Sequence, residues 1–233
     1  MVARRPWEKP LVNFHATRMV KGNGSAYSCA ATRRDVMDGA SSNLPRSPGR
    51  VSRTEAGYFV VGESWGARLR LSDPPNLTVL NAAVVAATDQ GFRIEELAAS
   101  WAPQVTALEA VNHADYPYTP ATSVPHRDES DLLELWKSGC HLFGAITYGQ
   151  LVAVSAMSLT AARAETEFTS VHRSYRRRGL AVAVKAASIT ALANDGVRIF
   201  GTGGAQVNAG SIRMNEHLGY AIEERWVSLT LPL

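Results

Sequence analysis

The sequence predicts a mixed α/β fold, a sheet flanked by helices, and three observations carry that prediction. From Phe92 onward, segments that alternate apolar and polar residues interchange with Ala- and Leu-rich stretches of helical period. A hairpin signal, Tyr148-Gly149-Gln150, joins two of the alternating segments, which makes those strands antiparallel neighbours. A third strand, Glu165 to Val171, leads through a basic turn closing on Gly179 into a Leu/Ala/Val-rich helix that runs to Asn194.

Taken in order, residues 1 to about 50 show no helical or strand period, and Asp38 to Arg53 has the Gly/Ser/Asn/Pro composition of a flexible loop. Lys21-Gly-Asn-Gly-Ser25 reads as a turn. Tyr58 to Val61 and Ala67 to Leu71 are strand-like and, with glycines between them, suggest a hairpin. Leu77 to Gln90 reads as a helix capped by Gly91. Phe92 to Leu97 alternates as a strand, and Pro103 opens a helix with Val105, Leu108 and Val111 on one side. Asp115 to Pro120 is barred from helix by its prolines. A short helix follows over Asp131 to Ser138, then strands over His141 to Tyr148, Leu151 to Leu159 and Glu165 to Val171. After the motif helix come a strand at Val197 to Thr202, a helix at Asn208 to Leu218, and two closing strands at Tyr220 to Glu223 and Trp226 to Leu231. The domain reading is an N-terminal extension over 1–90, partly flexible, followed by the main domain over 91–233. A faint echo between Asn81–Phe92 and Asn208–Tyr220 leaves open a degenerate first lobe.

Composition limits the functional classes. The 233 residues are 45% hydrophobic and 19% charged, enough for a real core. A net charge of +3 is too small for a nucleic-acid-binding face. Cys29 and Cys140 lie far apart without ligand spacing, so neither a disulfide scaffold nor a metal site is expected, and Cys140 reads as a small buried residue. No apolar run reaches membrane-spanning length and no signal-peptide core opens the chain, which makes the cytoplasm the default.

The basic turn is where chemistry concentrates. The first N–H groups of a helix lack intrahelical acceptors, and the helix dipole adds partial positive charge there. Gly179 has no Cβ, so a phosphate can approach the backbone, and Arg176, Arg177 and Arg178 stand at the same mouth. A solvated basic turn is the plainer alternative.

Two ordered motifs separate these readings. Val171-x-x-x-Tyr175-Arg176-x-Arg178-Gly179-x-Ala181 resembles the acyl-CoA signature of the GNAT acyltransferase superfamily, Gln/Arg-x-x-Gly-x-Gly/Ala. Arg177 stands where many members carry a second glycine. Downstream, Asn208-x-x-Ser211-x-x-Met214-Asn215-x-x-Leu218-Gly219-Tyr220 is similar to the family's last-helix segment. The resemblance covers about the last 140 residues. It implies a GNAT-like mixed, mostly antiparallel twisted sheet flanked by helices, and acetyl-CoA as co-substrate.

It further implies transfer of an acyl group, most often acetyl, to the amine of a small molecule by direct attack in a ternary complex. Thr169, Ser170 and Val171 would align the pantetheine arm, and the N–H groups of Arg177, Arg178, Gly179, Leu180 and Ala181 would cradle the pyrophosphate. Glu165 is the leading general-base candidate, with Glu167 two residues on pointing the same way if the strand is regular. Many relatives place a tyrosine acid where this chain has Asn215, which can orient a thiol or water but not act as a practical acid. Asn208 and Ser211 contact the cofactor or cap the helix, and Tyr220 reads as a core aromatic. Tyr116 and Tyr118 lie in the loop that usually walls the acceptor site. His172 and His217 form no metal motif. The expected partner is a small-molecule amine, with no nucleic acid and no membrane, in a monomer or homodimer. The rival readings are a non-catalytic acyl-CoA-binding module and a nucleic-acid binder using Arg173 and Arg176 to Arg178.

Overall fold

The computed structural model describes residues 18–21, 26–27, 59–117, 119, 126–160 and 163–230. Its strands are β1 (Arg18–Lys21), β2 (Ala26–Tyr27), β3 (Phe59–Arg70), β4 (Arg93–Glu96), β5 (His141–Thr147), β6 (Gln150–Thr160), β7 (Arg163–Val171), β8 (Ile199–Ala205) and β9 (Ala221–Thr230). Its helices are α1 (Thr78–Thr88), α2 (Ala102–Asn112), α3 (Glu129–Lys137), α4 (Leu180–Asn194) and α5 (Ala209–His217). The strands form one sheet in the order β2-β1-β9-β3-β8-β7-β6-β5-β4. Neighbours run antiparallel except β7 and β8, which are parallel and joined by the crossover helix α4.

The strand alternation read from the sequence sorts side chains to two faces. On one face, Val105 and Leu108 of α2 and Leu132 and Leu135 of α3 pack with Leu142, Val154, Ala156 and Phe168. On the other, Ala183 and Val184 of α4 meet Ala145, Val152 and Ala153, while Ile189 and Leu192 meet Phe200, Trp65 and Leu80 of α1. α4 is covered by α1 outside and the sheet inside, which is why its sequence is apolar around its circumference. Pro103 sits in the first turn of α2. Asp128 caps α3 through a reciprocal capping box with Asp131.

Three expectations need correction. Residues 1 to about 50, read as without strand period, supply β1 and β2, whose pairing with β9 and with each other no local pattern announces. Tyr58–Val61 and Ala67–Leu71 are not a hairpin, because Phe59–Arg70 is one strand. The glycines between them are absorbed at register shifts, Val60/Gly62 and Gly66/Ala67, where the strand pairs with β9. The two closing strands are likewise one strand, β9, spanning Ala221 to Thr230. β3, from the stretch read as an extension, lies between β8 and β9, with the Trp65 indole donating to the Ala205 carbonyl at 3.3 Å. The readings of residues 22–25 as a turn and 38–53 as a loop fall outside the described residues. Among the described residues no helix is long and apolar enough to cross a membrane.

Candidate active site

The site begins where the sheet parts. β7 and β8 pair only over Arg163–Glu165 and Ile199–Gly201, although β7 continues to Val171 and β8 to Ala205. The Thr166 hydroxyl donates to the Gly201 carbonyl at 3.1 Å, the last tie across the pair. Beyond that vertex the facing edges of the two strands, with Thr169, Ser170 and Val171 on one side, leave the ladder and open a cleft. Unpaired strand edges offer N–H and C=O groups to an extended ligand, as an added strand would use them.

The turn at the cleft mouth is built from residues that L-amino acids rarely supply. After a 3₁₀ turn over Arg173–Tyr175, Arg177 adopts φ 62° and Gly179 φ 77°. Left-handed residues alternating with right-handed ones, as at Arg177 and Gly179 on either side of Arg178, turn neighbouring N–H groups toward one side, an anion-holding concavity. The first helical bond of α4 runs from the Ala183 N–H to the Gly179 carbonyl at 2.9 Å. The N–H groups of Leu180, Ala181 and Val182 therefore precede the ladder. A Cβ placed at Gly179 would meet nothing within 4 Å, so the glycine faces open space. The position of Arg177, where a glycine is common in the family the motif resembles, demands a left-handed backbone, and this chain meets it with an arginine.

The arginines divide their labour. Arg176 turns back, donating to Asp115 at 2.6 Å, the Asn112 side-chain oxygen at 3.0 Å and the Val171 carbonyl at 3.1 Å. That hydrogen bond holds the Asp115 carboxyl below its usual range. Arg173 reaches the Val111 carbonyl at 3.1 Å. Both guanidiniums thus strap the turn to the C-terminal end of α2, where orphan carbonyls and the helix dipole favour cations. Arg177 and Arg178 are exposed at the mouth. Arg178 lies 5.4 Å from the Tyr175 ring, and its carbonyl accepts from Gln90 of the segment after α1. His172 accepts from the Ser174 N–H.

Glu165 sits at the vertex, half-buried, in register with Gly201 on β8 and Ser158 on β6. Glu167 is the extra residue of a bulge on β7 opposite Ala156/Met157, and its carboxylate accepts from the Ser158 hydroxyl at 2.6 Å. The strand is therefore not regular between the two glutamates, and the alternation argument that paired them fails there. The Ser158 hydroxyl, opposite Glu165, is what brings the Glu167 carboxylate beside it.

Asn215 is buried, 2% exposed, and both ends of its amide are engaged. Its oxygen accepts from Lys185 at 2.6 Å and its nitrogen donates to the Ser211 carbonyl at 2.8 Å. The expectation that it presents its amide to a thiol or water is corrected by that burial. Asn208 caps α5, accepting from the Ser211 N–H at 3.1 Å. Tyr220 is a core aromatic as read, its phenol pushed upward chiefly by burial.

Two buried groups escaped the sequence reading. Lys185 of α4 is fully buried, donating to Thr202 at 3.1 Å and Asn215, with its Nζ 4.6 Å from the Tyr220 ring centroid. Burial pulls its pKa down to about 7, against a smaller opposing pull from the Glu165 carboxylate. One lysine in an otherwise uncharged helix was the available signal. On the opposite face, Glu109 of α2 is 6% exposed and accepts from the Tyr116 phenol at 3.2 Å, with Arg127 at 3.6 Å. Burial raises the Glu109 carboxyl. Next to it Asn112 donates to the Ser170 hydroxyl at 2.8 Å, so α2 buttresses the motif strand. Tyr116 is tied into this network; Tyr118 lies outside the described residues. Cys140 is buried and free. Among the described residues no cluster of three or more His, Cys, Asp or Glu could hold a metal.

Among the described residues the sheet opens at its one parallel pair, beside a left-handed turn and the free first turn of α4. Residues 107–220 match the acetyltransferase (GNAT) family, and the chain carries a domain of that family. A GCN5-related N-acetyltransferase from Sphaerobacter thermophilus shares 18% identity with a TM-score of 0.56, over 75% of this chain and 53% of that one. A tandem GNAT protein from the clavulanic acid biosynthesis pathway, solved without acetyl-CoA, shares 19% with a TM-score of 0.51, over 76% and 54%. At such identity the likeness is one of fold, and the chain spans about half the length of those two proteins. No curated protein matches it.

Proposed function

We propose that this protein transfers an acetyl group from acetyl-CoA to the amine of a small molecule by direct attack. The observation that carries the reading is the junction of the splayed β7/β8 pair with the left-handed turn at Arg177 and Gly179. The open space at Gly179 and the free first turn of α4 fit a pyrophosphate, and the unpaired edge at Thr169 to Val171 fits an amide-bearing arm. When bound, acetyl-CoA supplies an activated thioester carbonyl.

The residues then have distinct work. An alkylamine is mainly protonated near neutral pH, so a proton must leave before attack. Glu165, at the vertex, is the candidate base, directly or through water. Backbone N–H groups along the open edge of β7 are the donors available for charge developing on the carbonyl oxygen. Arg177 and Arg178 hold phosphate charge at the mouth, while Arg176 keeps the turn in place.

Calorimetric titration with acetyl-CoA, beside CoA and ATP, tests the reading. Saturable binding that is lost in a folded Gly179→Val variant, followed by thiol release with an amine from a panel, supports it. A folded, monodisperse protein that binds none of the three would sink it. The second reading, an acyl-CoA-binding module without turnover, is favoured by one observation: Asn215 is committed to Lys185 and no tyrosine stands there. Binding without thiol release across the panel would select that alternative.

A further inference from the structure

The α-carbon of Gly201 lies beside the vertex of the splay, in register with Glu165 on β7 and Arg68 on β3. A Cβ there would find all three atoms of the Glu165 carboxyl group within 2.5 Å, so the carboxylate, at the end of a flexible side chain, would have to swing aside. The carboxylate therefore leans off its own strand and over the backbone of β8, in space that only glycine leaves. That seat is at the vertex, because Glu165 and Gly201 are the last register pair before β7 and β8 separate. The Thr166 hydroxyl on the Gly201 carbonyl fixes the same point of β8 against β7. Behind the two strands, Thr202 is held by Lys185, so the next residue of β8 is anchored as well.

We infer that Gly201 is a positioning residue: its missing side chain is the seat that sets the Glu165 carboxylate at the vertex of the cleft. The inference deepens the acyl-transfer reading and rests on it for the role of Glu165, while the seat itself is a packing relation testable without any substrate. Glycine elsewhere in a strand interior weakens it. At 201 the glycine is kept because a carboxylate occupies the volume.

A double-mutant cycle tests the seat. Gly201→Ala, Glu165→Ala and the pair are compared by thermal melting. In the native background the added methyl displaces the carboxylate from its seat and lowers the midpoint by about 2 °C. In the Glu165→Ala background the same change should cost nothing or raise the midpoint, since alanine suits a strand better than glycine. Equal effects in the two backgrounds, or none in either, overturn the seat.

Positioning is read separately. Gly201→Ala should bind acetyl-CoA with unchanged affinity yet turn over about 100-fold more slowly with the amine found in the panel. Adding Glu165→Asp, one methylene shorter, should restore at least tenfold of that loss, which a generally weakened sheet would not show. No rescue, or a loss confined to KM, refutes positioning. A native protein that binds no acetyl-CoA, with the melting cycle still coupled, means that the acyl-transfer reading has failed and the seat has not.

Discussion

Replacing Lys185 with methionine should remove a pH dependence of stability that the fold builds in. Lys185 has an ordinary value of 10.5 and about 7 in the fold, with burial as the main cause. The unfolded chain thus binds more protons than the folded one between pH 7 and 10.5. Stability must rise with pH through that window, and below pH 7 the group is charged in both states and contributes no slope. At 1.36 kcal/mol per unit the full span is roughly 5 kcal/mol, of which up to about 3 kcal/mol falls between pH 7 and 9. Methionine fills similar volume without a charge, but it strands the Asn215 oxygen, at a cost of about 1–3 kcal/mol. The variant should therefore be more stable than the native protein near pH 6–7, with that advantage shrinking to about zero by pH 9. Urea denaturation of both proteins at unit pH steps, with unchanged m-values, supplies the comparison. The comparison cancels Tyr116 and Cys140, which belong to the opposite face of the sheet from Lys185. Parallel stability curves from pH 7 to 9 would refute the reasoning.

Arg177→Gly should relieve a left-handed backbone and leave stability unchanged or higher by up to about 1 kcal/mol, with acetyl-CoA affinity falling no more than a few-fold; a large destabilisation would mean that φ 62° carries no strain. Arg176→Ala should cut three hydrogen bonds, to Asn112 at the end of α2, to Asp115 just beyond it and to the Val171 carbonyl of β7, and weaken acetyl-CoA binding about tenfold by loosening the cradle; unchanged affinity in calorimetry would show that the strap is dispensable. Glu165→Gln should lower kcat about 100-fold while leaving acetyl-CoA affinity intact, and a variant that keeps its rate removes Glu165 as the base.

How much of this could be read from the chain depended on the range of the interaction. The anion turn was legible because its chemistry is local: Gly179 and the start of α4 are neighbours in sequence, and a glycine before a helix carries its backbone preference with it. The hairpin of β5 and β6 was legible for the same reason. The place of β3 was not, because its partners in β8 lie about 140 residues away and nothing in Phe59–Arg70 names them. The Glu165–Gly201 relation is hidden in the same manner, since a glycine in a strand looks like a defect until the neighbouring carboxylate is seen. The condition set for Glu167, a regular strand, is not met: a bulge at 167 breaks the period-two alternation.

The departure at Asn215 and the buried Lys185 are one feature. The amide oxygen of Asn215 is a pure acceptor, suited to an ammonium that has lost its water, and Thr202 supplies the second oxygen. A phenol at 215 would bring a donor to a site that needs an acceptor, and would have to be buried beside a lysine to do so. Charge removal alone does not explain the arrangement, because a neutral lysine still requires partners for its N–H groups. The pair also joins α4, whose first turn faces the cleft, to α5 and β8 through a single side chain. Under the proposed acyl transfer, a proton for the leaving thiolate would come from water or from a group nearer the cleft than residue 215. A solvent isotope effect on turnover that is unchanged by Asn215→Ala would agree with that assignment. A selective loss of the effect in the same variant would return the proton to Asn215 and its lysine.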